Sequence, residues 1–482
     1  MSVLHGLKPE KVFKYFELLS SVPHGSGNTR AISNICVDFA REKGFTHIRD
    51  DLNNVIIFKD ASDDRAECAP VILQGHLDMV CAKDADCTID MEKEPVRLVT
   101  DGEWIRAKGT SLGGDNIVAI AIIMAILDDN TLSHPPIEAV FTVDEETGMD
   151  GAVGLDMSCL KGKRLINLDS EEEGVFTVGC AGGARVNCAL PAERGDVNGL
   201  FSLEISISGL RGGHSGVEID KCRASANRIM GRILYRLAEK LPVRLLSLEG
   251  GELDNVIPKS AVMQIAFGED IATDVISLAK EEAADIRAEF ATADPDISFE
   301  FKEGSAQGDA VTAEDTRRLA ACLFVLPYHV QEMSADIKGL VQTSLNMGVL
   351  KLLRDELTFS FAVRSSVTTQ KKELIRRVQA TVEMAGGRIS VHGDYPAWQY
   401  ARVSPLRDTT LRAYKSLSGC DGEVMAIHAG LECGLFSERI PELDCISFGP
   451  DLRDVHSTRE RLNVTSTARL YQLVAEILKN LD

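Results

Sequence analysis

The chain has little that would tie it to a membrane, a nucleic acid or an oxidising compartment. Its longest apolar run, Ile117–Leu127, is eleven residues, whereas a membrane-spanning helix needs about 20. That run reads as a buried helix. No basic cluster interrupts a balance of 52 Lys and Arg against 73 Asp and Glu, a net charge of −21. Such a deficit argues against polyanionic partners and suits an enzyme that hosts cations. The twelve cysteines include no C-x-x-C pair, so reduced, mostly buried thiols in a cytoplasmic protein are expected. The segment MSVLHGLKPEKVFKYFELL meets charge before any long apolar stretch, so no secretory signal is expected. At 482 residues the chain exceeds one ordinary domain, and two are expected.

What the chain does have is a series of short apolar runs that end in carboxylates or histidine. Ile137–Val143, bounded by Pro135-Pro136, predicts a buried strand that stops at Asp144-Glu145-Glu146. Adjacent residues at a strand end point in different directions, so one glutamate could bind a cation while the other takes a proton from water. A solvated acidic turn is the plain alternative. Val71-Ile72-Leu73 opens a second strand that runs on to His76 and Asp78. Two residues apart on a strand they share a face, so Asp78 could steady the ring while one ring nitrogen binds metal. Cys81 nearby is a further thiolate candidate, although oxygen and imidazole donors suffice for a hydrolytic zinc site.

The glycine-rich loop Lys108–Asn116 opens onto the apolar helix. No G-K-[ST] follows and the spacing does not fit G-x-G-x-x-G. The glycines let backbone approach closely while Asp115 points into a cleft; an N-cap role for Asp115 or Asn116 is the alternative. Arg164–Asp169 predicts another short strand with a carboxylate at its end, and His456 lies in a loop before a closing helix, Ser466–Leu481. Together His76, Asp115, Glu146, Asp169 and His456 suit two zinc-like ions with one carboxylate bridging them. Ligand sites of α/β domains lie at the carboxyl ends of strands, where three of these follow short strands.

At Gly179–Gly183 the pattern breaks. Beyond it, alternating runs such as Phe201–Ile207, Val262–Phe267 and Thr358–Val363 are interspersed with helices over 224–241 and 371–385. The expected fold is an α/β domain, a mixed sheet with flanking helices from 1–183 and 391–482, interrupted by an inserted α+β domain at 184–390. One loop of the insert, Gly209–Gly216, is glycine-dense around His214.

The motifs G-H-L-D-M-V from Gly75, G-G-D-N from Gly113, D-E-E-T-G from Asp144, N-L-D-S-E from Asn167, D-V-H-S from Asp454 and G-G-H-S-G from Gly212 resemble those of the M20 family of co-catalytic zinc peptidases. The resemblance is nearest to its aminoacyl-histidine dipeptidase (cytosolic non-specific dipeptidase) branch. It implies two divalent ions, zinc foremost, with cobalt and manganese also fitting the donors. His76 and Asp169 would hold one, Glu146 and His456 the other, and Asp115 would bridge them through a residue whose following peptide bond is cis. Asp78 would orient His76 and Glu145 would be the general base. In the insert, a lid in this family, His214 would polarise the substrate carbonyl, in its own chain or across a homodimer formed through the lid. Asn255, Arg364 and the backbone at Gly430 would hold the substrate carboxylate. The implied reaction is hydrolysis of dipeptides, Xaa-His and broader, β-alanyl-histidine among them. Another M20 amide hydrolase, a tripeptidase or N-acyl amino acid deacylase, is the alternative, and a non-catalytic metal-binding protein the contrasting class. Relatives usually carry alanine before the bridging aspartate and a glycine soon after the asparagine; this chain has Gly114 and Ile117-Val118 there.

Overall fold

In the computed structural model, which describes residues 3–481, the apolar run lies in a helix spanning Gly114–Leu127. Every side chain from Ile117 to Leu127 is fully buried, as a helix apolar on all sides must be. It sits hard against the strand Val71–His76. A Cβ on Gly75 would meet Asn116 Oδ1 at 2.6 Å and Ala119 Cβ at 2.8 Å, so glycine is what lets the helix start approach that strand.

The chain divides into two compact units. The first comprises the chain through Cys180, Trp398–Ala426 and the chain from Leu431 onward. Its main sheet has eight strands in the order Thr46–Arg49, Val55–Lys59, Ile137–Thr142, Val71–His76, Arg164–Asn167, Asp444–Ser447, Val175–Cys180 and Glu423–Ile427. The sheet is mixed. Val71–His76 runs parallel to both Ile137–Thr142 and Arg164–Asn167, and Asp444–Ser447 runs parallel to Arg164–Asn167. Their carboxyl ends therefore share one edge of the sheet. The closing helix starts earlier than expected, at Val464, because Asn463 Oδ1 accepts the Ser466 N–H at 2.8 Å and caps it.

The second unit is Ala181–Ala397 with Ile427–Gly430. It carries a nine-stranded sheet, antiparallel in the pairings from Ser298–Ser305 at one edge to Arg388–Tyr395 at the other. The helices Ala226–Ala238, Ala313–Val325 and Thr368–Met384 contribute to its core. The division at Ala397 lies beyond the expected residue 390, because Arg388–Tyr395 still pairs with Gly182–Pro191. The return at Ile427–Gly430 was not expected. It is held by the Ala181 N–H, which donates to the carbonyls of Ile427 at 3.1 Å and Ala429 at 3.0 Å. Among the described residues, no helix is long and apolar enough to cross a membrane.

Candidate active site

In the first unit, one sheet edge gathers the predicted ligands. His76 ends its strand, Asp169 lies two residues past Asn167, and Glu145 and Glu146 open a short helical turn, Glu145–Gly148, after Asp144 adopts a left-handed φ of 55°. Asp115 arrives from the neighbouring loop with non-helical dihedrals, φ −80° and ψ 104°, and the Asp115–Asn116 peptide bond is cis. Neither residue caps the helix. Asn116 instead accepts the His76 N–H at 3.3 Å and donates to the Leu168 carbonyl at 2.9 Å, tying two ligand-bearing segments together.

Asp115 divides its two oxygens. Oδ1 lies 3.2 Å from His76 Nε2, which is also 3.4 Å from Asp169 Oδ1. Oδ2 lies 3.4 Å from His456 Nε2, which is also 2.9 Å from Glu146 Oε1. Ligand atoms of His76, Asp115 and Glu146 all fall within 4.8 Å of one another. Hard oxygen donors and imidazole at such spacing fit divalent cations.

The charges say the same. Burial alone would depress His76, but Asp169, Asp115 and Asp78 drive it well above its ordinary value. Hydrogen bonds to Asp115 and Glu146 push His456 up to about 11. Burial raises Asp169 to about 8, with Asp115 and Glu432 adding to it. Glu145 is partly open to solvent yet hemmed in by protein; lost hydration, then Asp169, Glu432 and Glu146, push it well above the carboxylate range. Carboxylates this crowded cannot all ionise without added positive charge.

Asp78 does more than was expected of it, and differently. The strand stops at His76, so the two residues do not share a strand face. The ring is fixed mainly by the Asp78 backbone carbonyl, which accepts from Nδ1 at 3.1 Å, with Asp78 Oδ1 at 3.4 Å. With Nδ1 so engaged, Nε2 is the nitrogen that would face a cation. The carboxylate accepts the N–H groups of Glu145 at 3.0 Å and Glu146 at 3.3 Å and the Ser26 hydroxyl at 2.8 Å. It thus holds the turn that carries both glutamates. Cys81 is exposed and its thiol is raised by burial of the sulfur and by Glu92, the opposite of a thiolate ready to ligate.

In the second unit the predicted substrate residues also assemble. His214 pairs with Val256 on a two-residue ladder, and the Ser215 N–H donates to the Asn255 carbonyl at 2.8 Å, so His214 and Asn255 are neighbours. The Gly216 and Val217 N–H groups donate to His214 Nδ1 at 3.2 and 3.3 Å. The ring proton is therefore on Nε2. Burial and the Arg364 charge keep this imidazole below its ordinary value, hence neutral. Arg364 donates from Nη1 to the Tyr395 hydroxyl at 3.1 Å. Gly430 abuts the same ring, since a Cβ there would meet Tyr395 Cε2 at 2.9 Å.

Several residues of these groups escaped the sequence reading. His428 shares a 2.7 Å hydrogen bond between Nε2 and Ser344 Oγ, and burial with Arg364 and His214 holds it down to about 3. Glu432 is fully buried beneath the ligand-bearing strands, accepting from Gln74 Nε2 at 2.5 Å and Thr142 Oγ1 at 2.7 Å, and burial raises it to about 7. Its neighbours Gly430 and Gly434 mark a turn, but no local pattern distinguishes a buried glutamate from a solvated one.

The sequence model of Peptidase family M20/M25/M40 matches residues 72–480. The cytosol non-specific dipeptidase of Escherichia coli (strain K12) is 35% identical over 482 residues, 100% of this chain and 99% of that protein. The crystal structure of aminoacylhistidine dipeptidase from Vibrio alginolyticus has a TM-score of 0.93 at 34% identity, over 100% of this chain and 99% of that one. An aminopeptidase from Bacillus cereus ATCC 10987, with a TM-score of 0.58 at 16% identity over 98% of this chain and 99% of its own, shares the fold. With the family's pattern running through the ligand-bearing strands and the full-length likeness on either side of it, this chain belongs to peptidase family M20.

Proposed function

We propose that the chain is a metal-dependent dipeptidase acting on Xaa-His and other dipeptides with a free carboxyl terminus. The observation that carries this reading is the divided Asp115 carboxylate, one oxygen toward His76 and Asp169 and the other toward His456 and Glu146. That division favours two ions per chain, zinc foremost, with Asp115 shared. Bound there, they would supply the positive charge that acidifies a water and polarises the scissile carbonyl.

The residues of the chain do the rest. Asp78 fixes the turn from which Glu145 takes the proton of the attacking water and returns it to the leaving nitrogen, which departs poorly unprotonated. His214, neutral with its proton on Nε2, is the proposed donor to the developing oxyanion. The Arg364 guanidinium, steadied by Tyr395, pairs with the substrate carboxylate, and Asn255 and the Gly430 backbone bound the same subsite. Twelve free thiols support a reducing, cytoplasmic setting. A homodimer through the second unit belongs to the same proposal and is checked by light scattering.

The test is product analysis with the purified protein on dipeptides, tripeptides and N-acyl amino acids, beside elemental metal analysis. Dipeptides should be cleaved fastest, by protein holding two ions, with loss of turnover on chelation and recovery on readdition. Preference for tripeptides or acyl amino acids would replace the dipeptidase reading.

A further inference from the structure

Glu460 is 3% exposed and lies in the turn between His456 and the strand Arg461–Asn463. A buried carboxylate must find donors, and this one finds four on a single segment. Oε2 accepts the N–H groups of Leu112 at 2.8 Å and Gly113 at 3.1 Å; Oε1 accepts those of Gly114 at 2.8 Å and Asp115 at 3.3 Å. The segment is shaped to allow it. Gly113 takes a left-handed φ of 71°, and a Cβ on Gly114 would lie 3.2 Å from Glu460 Oε1 and 2.8 Å from Leu452 Cδ2. The departure from alanine at residue 114 thus has a physical account here: glycine keeps the backbone open to this carboxylate.

We propose that Glu460 is a positioning residue that aims Asp115. By taking the consecutive N–H groups that end at Asp115 itself, it sets the direction in which that residue presents Oδ1 to His76 and Asp169 and Oδ2 to His456 and Glu146. The assignment rests on the reading of Asp115 as a shared metal ligand. His456 stands only four residues before Glu460, so one turn of chain delivers a candidate ligand and also holds the backbone of its counterpart. An anion at the start of the Gly114–Leu127 helix would stabilise that helix in any case; aiming Asp115 is a separate consequence, and only that one changes metal affinity.

The experiment titrates the chelator-stripped full chain with Co²⁺, followed by visible absorption and calorimetry. Glu460→Gln keeps the volume but turns an amide donor toward N–H groups, and it should weaken Co²⁺ binding about 10- to 100-fold, the usual loss when a group supporting a ligand is changed. Far-UV circular dichroism should be unchanged. Glu138→Gln is the control: Glu138 is also buried and accepts the Lys161 and Gly162 N–H groups at 2.9 and 3.0 Å, so its loss should lower thermal stability without moving the Co²⁺ titration. Asp115→Asn separates two failures. Unchanged Co²⁺ binding in Asp115→Asn overturns the ligand assignment and the role of Glu460 with it. Weakened binding in Asp115→Asn beside wild-type binding in Glu460→Gln overturns the role of Glu460 alone. Should Glu460→Gln not fold, Glu460→Asp, which keeps the charge on a shorter stem, carries the same comparison and the same outcomes.

Discussion

The two units build their functional groups by opposite means. In the first, three of the five proposed ligands, His76, Glu146 and Asp169, lie at or within a few residues of the ends of adjacent parallel strands, while Asp115 and His456 come from loops. Carboxylates are crowded there until burial and mutual repulsion raise Asp169 and Glu145. In the second, the group is assembled by antiparallel register. Arg364 lies opposite Ser344 on one side and Gly183 on the other, His214 lies opposite Val256, and Gly430 arrives on a return loop. Its members are neutral imidazoles and one guanidinium. A crowd of acids invites cations; a lone guanidinium beside neutral rings invites an anion. On the proposed function the chemistry would divide accordingly, with proton transfer and metal holding in the first group, and carboxylate recognition and oxyanion support in the second.

Substitutions should therefore sort by group. The largest effect is expected for Glu145→Gln, which keeps size and polarity but cannot accept the water proton. Turnover should fall about 10²- to 10⁴-fold while elemental analysis finds the wild-type metal content. Near wild-type hydrolysis would remove Glu145 from the role of base. For the second group the matching test is His214→Ala. Loss of one oxyanion donor should lower kcat about 10²- to 10³-fold, again with metal content unchanged. Lost metal in this variant would make His214 a ligand and erase the division; unchanged kinetics would leave it a bystander.

The division also explains what the sequence could reveal. A histidine or carboxylate at or within a few residues of the end of a short apolar run is a local signal, and so His76, Glu146 and Asp169 stand out in the sequence beside their strands. The apolar helix was legible because nothing in Ile117–Leu127 could face water. The shared strand face expected of His76 and Asp78 is absent because the strand stops at His76, two residues short of Asp78, and the chain bends so that the Asp78 carbonyl, at 3.1 Å, lies nearer the ring Nδ1 than its carboxylate at 3.4 Å. Glu432 and Glu460 were hidden for a different reason. Each is a glutamate in an ordinary turn whose partners lie more than a hundred residues away, at Gln74 and Thr142 for one and at Leu112–Asp115 for the other. Long-range partners leave no period in the sequence.

A smaller effect, confined to substrate affinity, is expected at Arg364. Hydrogen bonds to a charged group contribute about 1.5–3 kcal/mol, so Arg364→Ala should raise KM for a dipeptide about 10- to 100-fold. A dipeptide amide, which lacks the carboxylate, should be cleaved equally by both forms. If the variant loses as much on the amide as on the acid, Arg364 is not the carboxylate partner and the second group serves some other end.

The smallest effect tests whether the second group is tuned beyond Arg364 itself. Tyr395 lies where three elements converge: its hydroxyl accepts from Arg364 Nη1 at 3.1 Å, its ring abuts Gly183 and Gly430, and its carbonyl accepts from the buried Lys371. Lys371 also pairs with Asp394, so the segment bearing the tyrosine is anchored independently of the hydroxyl. Tyr395→Phe removes one oxygen and leaves that anchoring and the ring carbons against Gly183 and Gly430 in place. The hydroxyl reaches substrate only through the aim of Arg364, so its loss should cost less than the ~1.5–3 kcal/mol of a direct bond to a charged group, and KM should rise about 2- to 10-fold with kcat unchanged. Stability should move little, because the ring keeps its packing. A fall in kcat without a change in KM would mean that the hydroxyl acts in the reaction itself, and the separation of proton transfer in one group from recognition in the other would have to be redrawn.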